Sequence, residues 1–319
     1  MKTLLTGAAG FIALHVAERL LDAGHEVVGV DNLNAYYDVS LKEARLARLL
    51  PREGFRFERQ DLSDREGMAA LFARERFERV VPLGAQPGVR HSLDAPFDYV
   101  ESNLTGHLTV LEGCRRTGVA HLVYASSSSV YGLNATPFRA SDRTDHPVSL
   151  YGATKKANEV MTHAYAHLFG VPATGLRFFT VYGPWGRPDM ATMKFTRAIL
   201  AGDPIDVYGH GEMKRDFTYV GDIADSVVAL LDRAPEGDPA WTPEAGDPAA
   251  SSAPHRVFNI GNGEPVLLME FIRTLEELLG RKANLVLREM QPGDLVETSS
   301  DTEPLARLLG AAPHTPLAV

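Results

Sequence analysis

Thr6-Gly7-Ala8-Ala9-Gly10-Phe11-Ile12-Ala13 stands between a short apolar run, Thr3–Leu5, and a segment of helical period, Phe11–Ala23. A glycine run gains meaning from that context: strand, tight turn, helix. Gly7 permits the turn. Gly10 lets the backbone approach an anion at the helix N-terminus, where unpaired N–H groups and the helix dipole favour negative charge. Ala9, Phe11 and Ile12 complete the surface that would meet such a ligand. Ala13 stands where a third glycine often governs helix–sheet packing, and alanine is small enough for that duty. The competing reading is a plain strand–turn–helix. Asp31 argues against it, because it ends the next apolar run, Glu26–Val30, about 20 residues on. A carboxylate there accepts hydrogen bonds from ribose hydroxyls and repels a 2′-phosphate. A dinucleotide is therefore expected, and NAD in preference to NADP.

Working outward, the alternation continues. Apolar runs at Phe55–Arg59, Arg79–Pro82, His121–Ala125 and Ala173–Arg177 are separated by helical patterns such as Tyr99–Arg116. Such alternation predicts parallel β-α-β units and an α/β fold, a Rossmann-type doubly wound parallel sheet with helices on both faces. Beyond about Thr180 the pattern loosens. Strand-like Ile205–Tyr208 and Val257–Ile260 are interspersed with helical Met193–Ala201, Ile223–Asp232 and Leu268–Leu279, which predicts a smaller C-terminal α/β substrate lobe. The expected division is an NAD-binding domain over 1–180 and a mainly substrate lobe over 181–319, with segments returning to the first domain. Pro235–Pro254, rich in Pro, Ala, Gly and Asp, reads as a surface loop.

Further candidates follow the third and fourth strands. Asp61-Leu62 places a carboxylate near the adenine amine, or else Asp61 caps a helix, a duty for which Ser63 and Asp64 are equally suited. Leu83-Gly84-Ala85-Gln86 offers small residues where the cofactor would cross the sheet edge. After the fifth strand comes Ser126-Ser127-Ser128-Ser129-Val130-Tyr131-Gly132. Ligands of open parallel sheets bind at the strands' carboxyl ends, so Ser127, Ser128 and Ser129 are placed to hold a substrate oxygen. A single serine there would form a turn; four in a row ask for more. Tyr151 and Lys155 lie four apart in Tyr151-Gly-Ala-Thr-Lys155. On a helix this puts both on one face, with Cβ atoms roughly 5–6 Å apart. A lysine there can lower the phenol's pKa and make it a base.

These motifs together resemble the extended short-chain dehydrogenase/reductase superfamily, and within it the nucleotide-sugar branch. The likeness runs over nearly the whole chain. It is carried by the glycine turn, Asp31–Asp38, Gln86–Arg90, the serine run, Tyr151-Gly-Ala-Thr-Lys155, Arg177–Pro184, Arg187–Met190 and Arg215-Asp216-Phe217. The resemblance implies NAD-dependent epimerisation at C4 of UDP-glucuronic acid, through a transient 4-keto sugar. UDP-glucose is the rival substrate, and decarboxylation or a non-catalytic NAD-sensing scaffold are more distant alternatives. It implies that Tyr151 removes the 4-hydroxyl proton, that Lys155 tunes it and holds the nicotinamide ribose, and that Ser127 or Ser128 bonds the reacting oxygen. It adds Asn32, Asn34 and Gln86 to the cofactor contacts, and Arg90, Phe178, Thr180, Arg187 and Arg215 to the substrate contacts. Arg215 would take the diphosphate, because a guanidinium offers paired donors to phosphoryl oxygens. Dehydratases of this branch carry Asp-Glu where this chain has Ser128-Ser129, so dehydration is not expected. Thr180 stands where relatives acting on neutral sugars tend to have asparagine. Pro82, Gly84 and Pro87 depart from the family's usual His, Ala and Ala.

Composition bounds the rest. The 319 residues carry a net charge of −9 and no basic stripe, so nucleic acid is not expected as a partner. No run approaches ~18 apolar residues, so no membrane span is expected. Lys2 and the short apolar run after it read as a first strand, not a signal peptide. Cys114 is the only cysteine, which fits a reducing, cytoplasmic setting. His163 and His167 could share a metal but lack a third ligand, so none is expected. The apolar stripes of Tyr99–Arg116 and Leu150–Phe169 suit either the core or a homodimer's four-helix bundle.

Overall fold

The strands of the large sheet follow the expected runs to within two residues. Six of them are β1 (Lys2–Thr6), β2 (Glu26–Asp31), β3 (Phe55–Arg59), β4 (Arg79–Pro82), β5 (His121–Ser127) and β6 (Ala173–Phe178). Leu4, Val28, Val80, Leu122 and Leu176 are all fully buried, which is the continuous apolar pattern of strands covered on both faces. Short strands complete the chain: β7 (Thr180–Tyr182), β8 (Pro204–Tyr208), β9 (Lys214–Tyr219), β10 (His255–Ile260), β11 (Pro265–Leu267) and β12 (Asn284–Arg288). The computed structural model describes residues 1–291, 294–311 and 314–318.

The large sheet has seven strands in the order β10-β6-β5-β4-β1-β2-β3, and every pairing in it is parallel. Its order reverses between β1 and β4, the crevice in which such sheets bind ligands. Two small sheets, β11-β9-β7 and β12-β8, build the smaller lobe. The helices are α1 (Phe11–Asp22), α2 (Val39–Leu49), α3 (Arg65–Glu75), α4 (His91–Asp94), α5 (Pro96–Tyr99), α6 (Gly106–Thr117), α7 (Leu150–Phe169), α8 (Ala191–Ala201), α9 (Val220–Leu231), α10 (Leu268–Leu279) and α11 (Glu303–Leu309). No helix among the described residues is long and apolar enough to cross a membrane.

Two later segments return to the large sheet. Val257–Ile260 is part of β10 and pairs with β6 at the edge of the large sheet. Ile223–Leu231 falls in α9. Its Val220, Ile223, Val227 and Leu230 share one core with Leu5, Leu14 and Val16. Tyr99–Arg116 is not one α-helix: Val100–Thr105 is a π-helical turn between α5 and α6. The residues that set it off are internal to the fold. Asn103, on this turn, accepts from Gln86 N (2.7 Å) and donates to Thr154 Oγ1 (3.1 Å). Widened turns of this kind occur where a helix must aim a side chain.

Candidate active site

The glycine turn is fixed by close approach. Gly7 has φ of +69°, and a Cβ on it would stand 2.7 Å from the Gly84 backbone. Only glycine meets both demands. Gly84, a departure from the family's usual alanine, is thus the residue the turn rests on; its N–H donates to Thr6 Oγ1 (3.0 Å). Gly10 N donates to Gly7 O (2.7 Å), and α1 starts there with no side chain capping it. The first N–H groups of α1 therefore remain open to an anion.

Asp31 lies at the end of β2. Its Oδ2 accepts from Ala9 N (3.2 Å) and its Oδ1 from Leu33 N (2.8 Å), so the carboxylate is pinned beside the turn. Asn32 Nδ2 donates to Asp61 Oδ2 (2.7 Å), and Asp61 Oδ1 accepts from Ser63 N (2.8 Å). Burial resists ionisation of Asp61, but these bonds outweigh it and hold the carboxyl below its usual range. Asp64 caps α3 through Gly67 N (3.1 Å), which leaves Asp61 to the cleft. Asn34 Nδ2 donates to Gln86 Oε1 (3.2 Å), and Lys42 Nζ donates to Asn34 Oδ1 (2.6 Å).

At the other end, Ser127 closes β5 and Ser128–Val130 form a single 3-10 turn. Ser149 caps α7, its Oγ accepting from Gly152 N (3.0 Å). A Cβ on Gly152 would lie 2.5 Å from Ser129 O. Glycine thus lets the helix start press against the serine turn, which brings Tyr151 to Ser127. Burial raises the Tyr151 phenol's pKa; a hydrogen bond with Ser127 and the charge of Arg187 pull it down. Lys155 Nζ donates to Ala125 O (3.1 Å), and burial lowers its pKa to about 8. Arg187 thus adds positive charge at Tyr151 beside the Lys155 that the sequence placed there. The Lys155 head group is held on the β5 backbone. Arg187 Nε donates to Asp189 Oδ1 (3.0 Å), and Tyr36 OH donates to Asp189 Oδ2 (3.1 Å). Burial, with the Asp189 charge behind it, pushes the Tyr36 phenol up to about 12.

Both ends open into one cleft of about 400 Å³. Its walls include Gly7, Gly10, Phe11, Ile12, Asp31, Asn32, Asn34, Asp61, Leu62, Leu83 and Ala85 at the dinucleotide end. At the other end they include Ser127, Ser128, Ser129, Tyr151, Lys155, Phe178, Thr180 and Arg187. The sequence model of the NAD dependent epimerase/dehydratase family matches residues 3–261.

This chain belongs to that family.

An NAD-dependent epimerase/dehydratase must hold its cofactor, and the open N–H groups of α1, the turn that admits no side chain and the pinned Asp31 carboxylate all fit NAD. Among relatives, a probable UDP-glucuronate 4-epimerase of Rhizobium meliloti is 48% identical over 98% of this chain and 92% of its own length. UDP-glucuronate 4-epimerase 4 of Arabidopsis thaliana is 45% identical over 99% of this chain and 72% of its own. The crystal structure of UDP-glucuronic acid 4-epimerase from Bacillus cereus, in complex with UDP-glucuronic acid and NAD, superposes with a TM-score of 0.87. It is 32% identical, and the match covers 100% of this chain and 96% of that one.

Four candidates stand outside the cleft wall of this family member. Ala9 is buried behind the turn, and Gln86 is buried with its carboxamide on Asn34. Arg90 pairs with Asp294 (2.9 Å) and lies over the Tyr208 ring at 5.1 Å. Arg215 turns back to donate to Lys214 O (2.8 Å). For each arginine, the nearest acceptor in the folded chain takes the guanidinium. Tyr36 and Tyr37 line the cleft, whereas Tyr131 is core, stacked on Phe138 at 4.5 Å. His163 bonds Ser251 Oγ (3.0 Å). Sequence reasoning missed Lys42, Ser102 and Met190, which also line the cleft. Lys42 sits in an amphipathic helix where a lysine reads as solvated; only the fold buries it.

Proposed function

We propose that this chain interconverts UDP-glucuronic acid and UDP-galacturonic acid by NAD-dependent epimerisation at C4. One observation carries the reading. A phenol, Tyr151, and the Ser127 hydroxyl at the carboxyl edge of β5 line the same cleft as the dinucleotide turn, and Ser127 lowers the phenol's pKa. The 4-epimerase relatives and the solved enzyme with UDP-glucuronic acid and NAD support the substrate.

NAD, when bound, supplies the acceptor that takes the hydride from C4 and gives it back to the other face. Tyr151 takes the 4-hydroxyl proton as phenolate and later returns it. Ser127 shares a hydrogen bond with the same oxygen, and Ser128 offers a second. Arg187 supplies positive charge beside the phenolate. Lys155 would hold the nicotinamide ribose, and Asp31 the adenosine ribose. Asn32, Asn34, Asp61 and Leu62 line the adenine end; Leu83 and Ala85 line the crossing. The 4-keto uronic acid is a β-keto acid, which loses carbon dioxide when its C5–carboxylate bond aligns with the carbonyl π system. Thr180, Ser128 and Ser129 hold the carboxylate out of that alignment. Phe178 flanks the sugar, and Arg90 and Arg215 reach the diphosphate by exchanging their present acceptors for it. The segments up to 180 hold mainly the cofactor, and those from 181 mainly the sugar nucleotide.

The helices α6 and α7 show exposed apolar stripes: Phe97, Val100 and Leu108 before and on one, Val160 and Leu168 on the other. A cytoplasmic homodimer that joins these stripes accounts for them. Incubation with UDP-glucuronate, chromatography and mass analysis test the function. Appearance of UDP-galacturonate at unchanged mass supports it. A pentose nucleotide as main product, or a faster reaction on UDP-glucose, rejects it.

A further inference from the structure

Arg45 is the largest fully buried side chain of the described residues, with no exposed surface, and it has no carboxylate partner among the described ion pairs. It sits in α2, outside every motif of the sequence. Its donors all go to neutral oxygens. Nη1 reaches Ala9 O (3.1 Å) in the dinucleotide turn and the Tyr37 hydroxyl (2.6 Å). Nε and Nη2 reach Trp185 O (3.1 and 2.7 Å), and Nη2 also reaches Gly186 O (3.3 Å).

Two features make this more than packing. A buried cation without a counter-ion is costly, and a nearby anion relieves the cost. The dinucleotide's pyrophosphate would lie at the turn whose Ala9 carbonyl Arg45 holds. Moreover, Trp185 has φ of +63°, a left-handed conformation that a tryptophan keeps only when its surroundings impose it. Arg45 imposes it by taking the Trp185 carbonyl with two donors. Arg187, which lines the same cleft as Tyr151, follows two residues later. His15 pins the same loop through Pro184 O (3.0 Å).

We propose that Arg45 is a positioning residue that ties the dinucleotide turn to the loop bearing Arg187, so that cofactor grip and alignment at Tyr151 depend on one buried guanidinium. The catalytic half of this inference rests on the epimerase reading; the cofactor half does not.

The test uses full-length R45K and R45M, with NADH titrated by fluorescence and turnover of UDP-glucuronate measured at saturating NAD. R45M should bind NADH about tenfold more weakly or worse, the scale of a charge-assisted hydrogen bond lost. R45K keeps the charge but lacks the fork. It should bind NADH within a few-fold of the wild type yet lose about tenfold in kcat with little change in KM. Added ethylguanidinium should restore part of the kcat of a third variant, R45A. Variants that melt earlier but keep wild-type NADH affinity and wild-type kcat per folded molecule overturn the proposal and leave Arg45 a structural residue. Should R45M not fold, the kcat of R45K decides alone. If the wild type shows no epimerase activity, the NADH titration still separates this inference from that reading.

Discussion

Two residues four apart on α7 divide the chemistry between them. Tyr151 faces Ser127, while Lys155 lies on the β5 backbone. Replacing Tyr151 by Phe removes the one proton carrier and little volume. Turnover should fall about 10²–10⁴-fold while NADH titration stays within a few-fold of wild type. Retained turnover would remove Tyr151 from the mechanism. Lys155 gives a pH test. Its pKa falls from 10.5 in the open chain to about 8 in the fold. Between those values the unfolded chain holds a proton that the folded one has shed, so stability rises with pH across that window. Below 8 the fold carries the full burden of a buried charge. Cofactor-free Lys155→Met should therefore be more stable than wild type at pH 7, by roughly 1–3 kcal/mol. The gap should close as pH climbs from 8 towards 10.5. Urea titrations at about pH 7 and about pH 9.5 read it; a variant less stable at both, by the same margin, contradicts the burial of a charged lysine.

At the scale of the element, α7 needs an anchor strong enough to hold Tyr151 against the serine turn. Glu159 supplies it, one helical turn beyond Lys155. Arg177 on β6 meets it with Nε to Oε1 (2.8 Å) and Nη2 to Oε2 (2.9 Å), both side chains almost fully buried. Ser126 Oγ adds a donor (2.6 Å). Burial opposes the Glu159 charge, but Arg177 outweighs it and keeps the carboxyl below its usual range. Removing one partner strands the other. Glu159→Gln should cost about 3–5 kcal/mol in urea unfolding, and the double change Glu159→Leu with Arg177→Met should recover most of it. Equal losses for single and double variants would show that packing, not charge, sets the cost. The strands of this neighbourhood were legible as apolar runs because both faces of the sheet are covered. The π turn at Val100–Thr105 was not, since its cause is Asn103 reaching Gln86 and Thr154 from elsewhere in the chain.

For the whole molecule, the exposed stripes on α6 and α7 are the clearest unfinished surface. Val160 is 56% exposed on a helix whose opposite face is core. Sedimentation equilibrium should give a dimer for the wild type and a folded monomer for Val160→Glu. A wild-type monomer, or a dimer undisturbed by the change, would leave those stripes unexplained. Sequence by itself determined the parallel sheet, the dinucleotide turn, Asp31, the serine edge and the Tyr151/Lys155 pair. Each depends on short-range spacing along one strand–turn–helix unit, and local backbone rules act within that range. Tertiary structure alone decided that β10 joins the large sheet, that Arg187 reaches the cleft of Tyr151, that Arg90 faces Asp294 and that Lys42 and Arg45 are buried. Those outcomes turn on which distant segments exclude water from a charge, and a one-dimensional pattern carries no record of that.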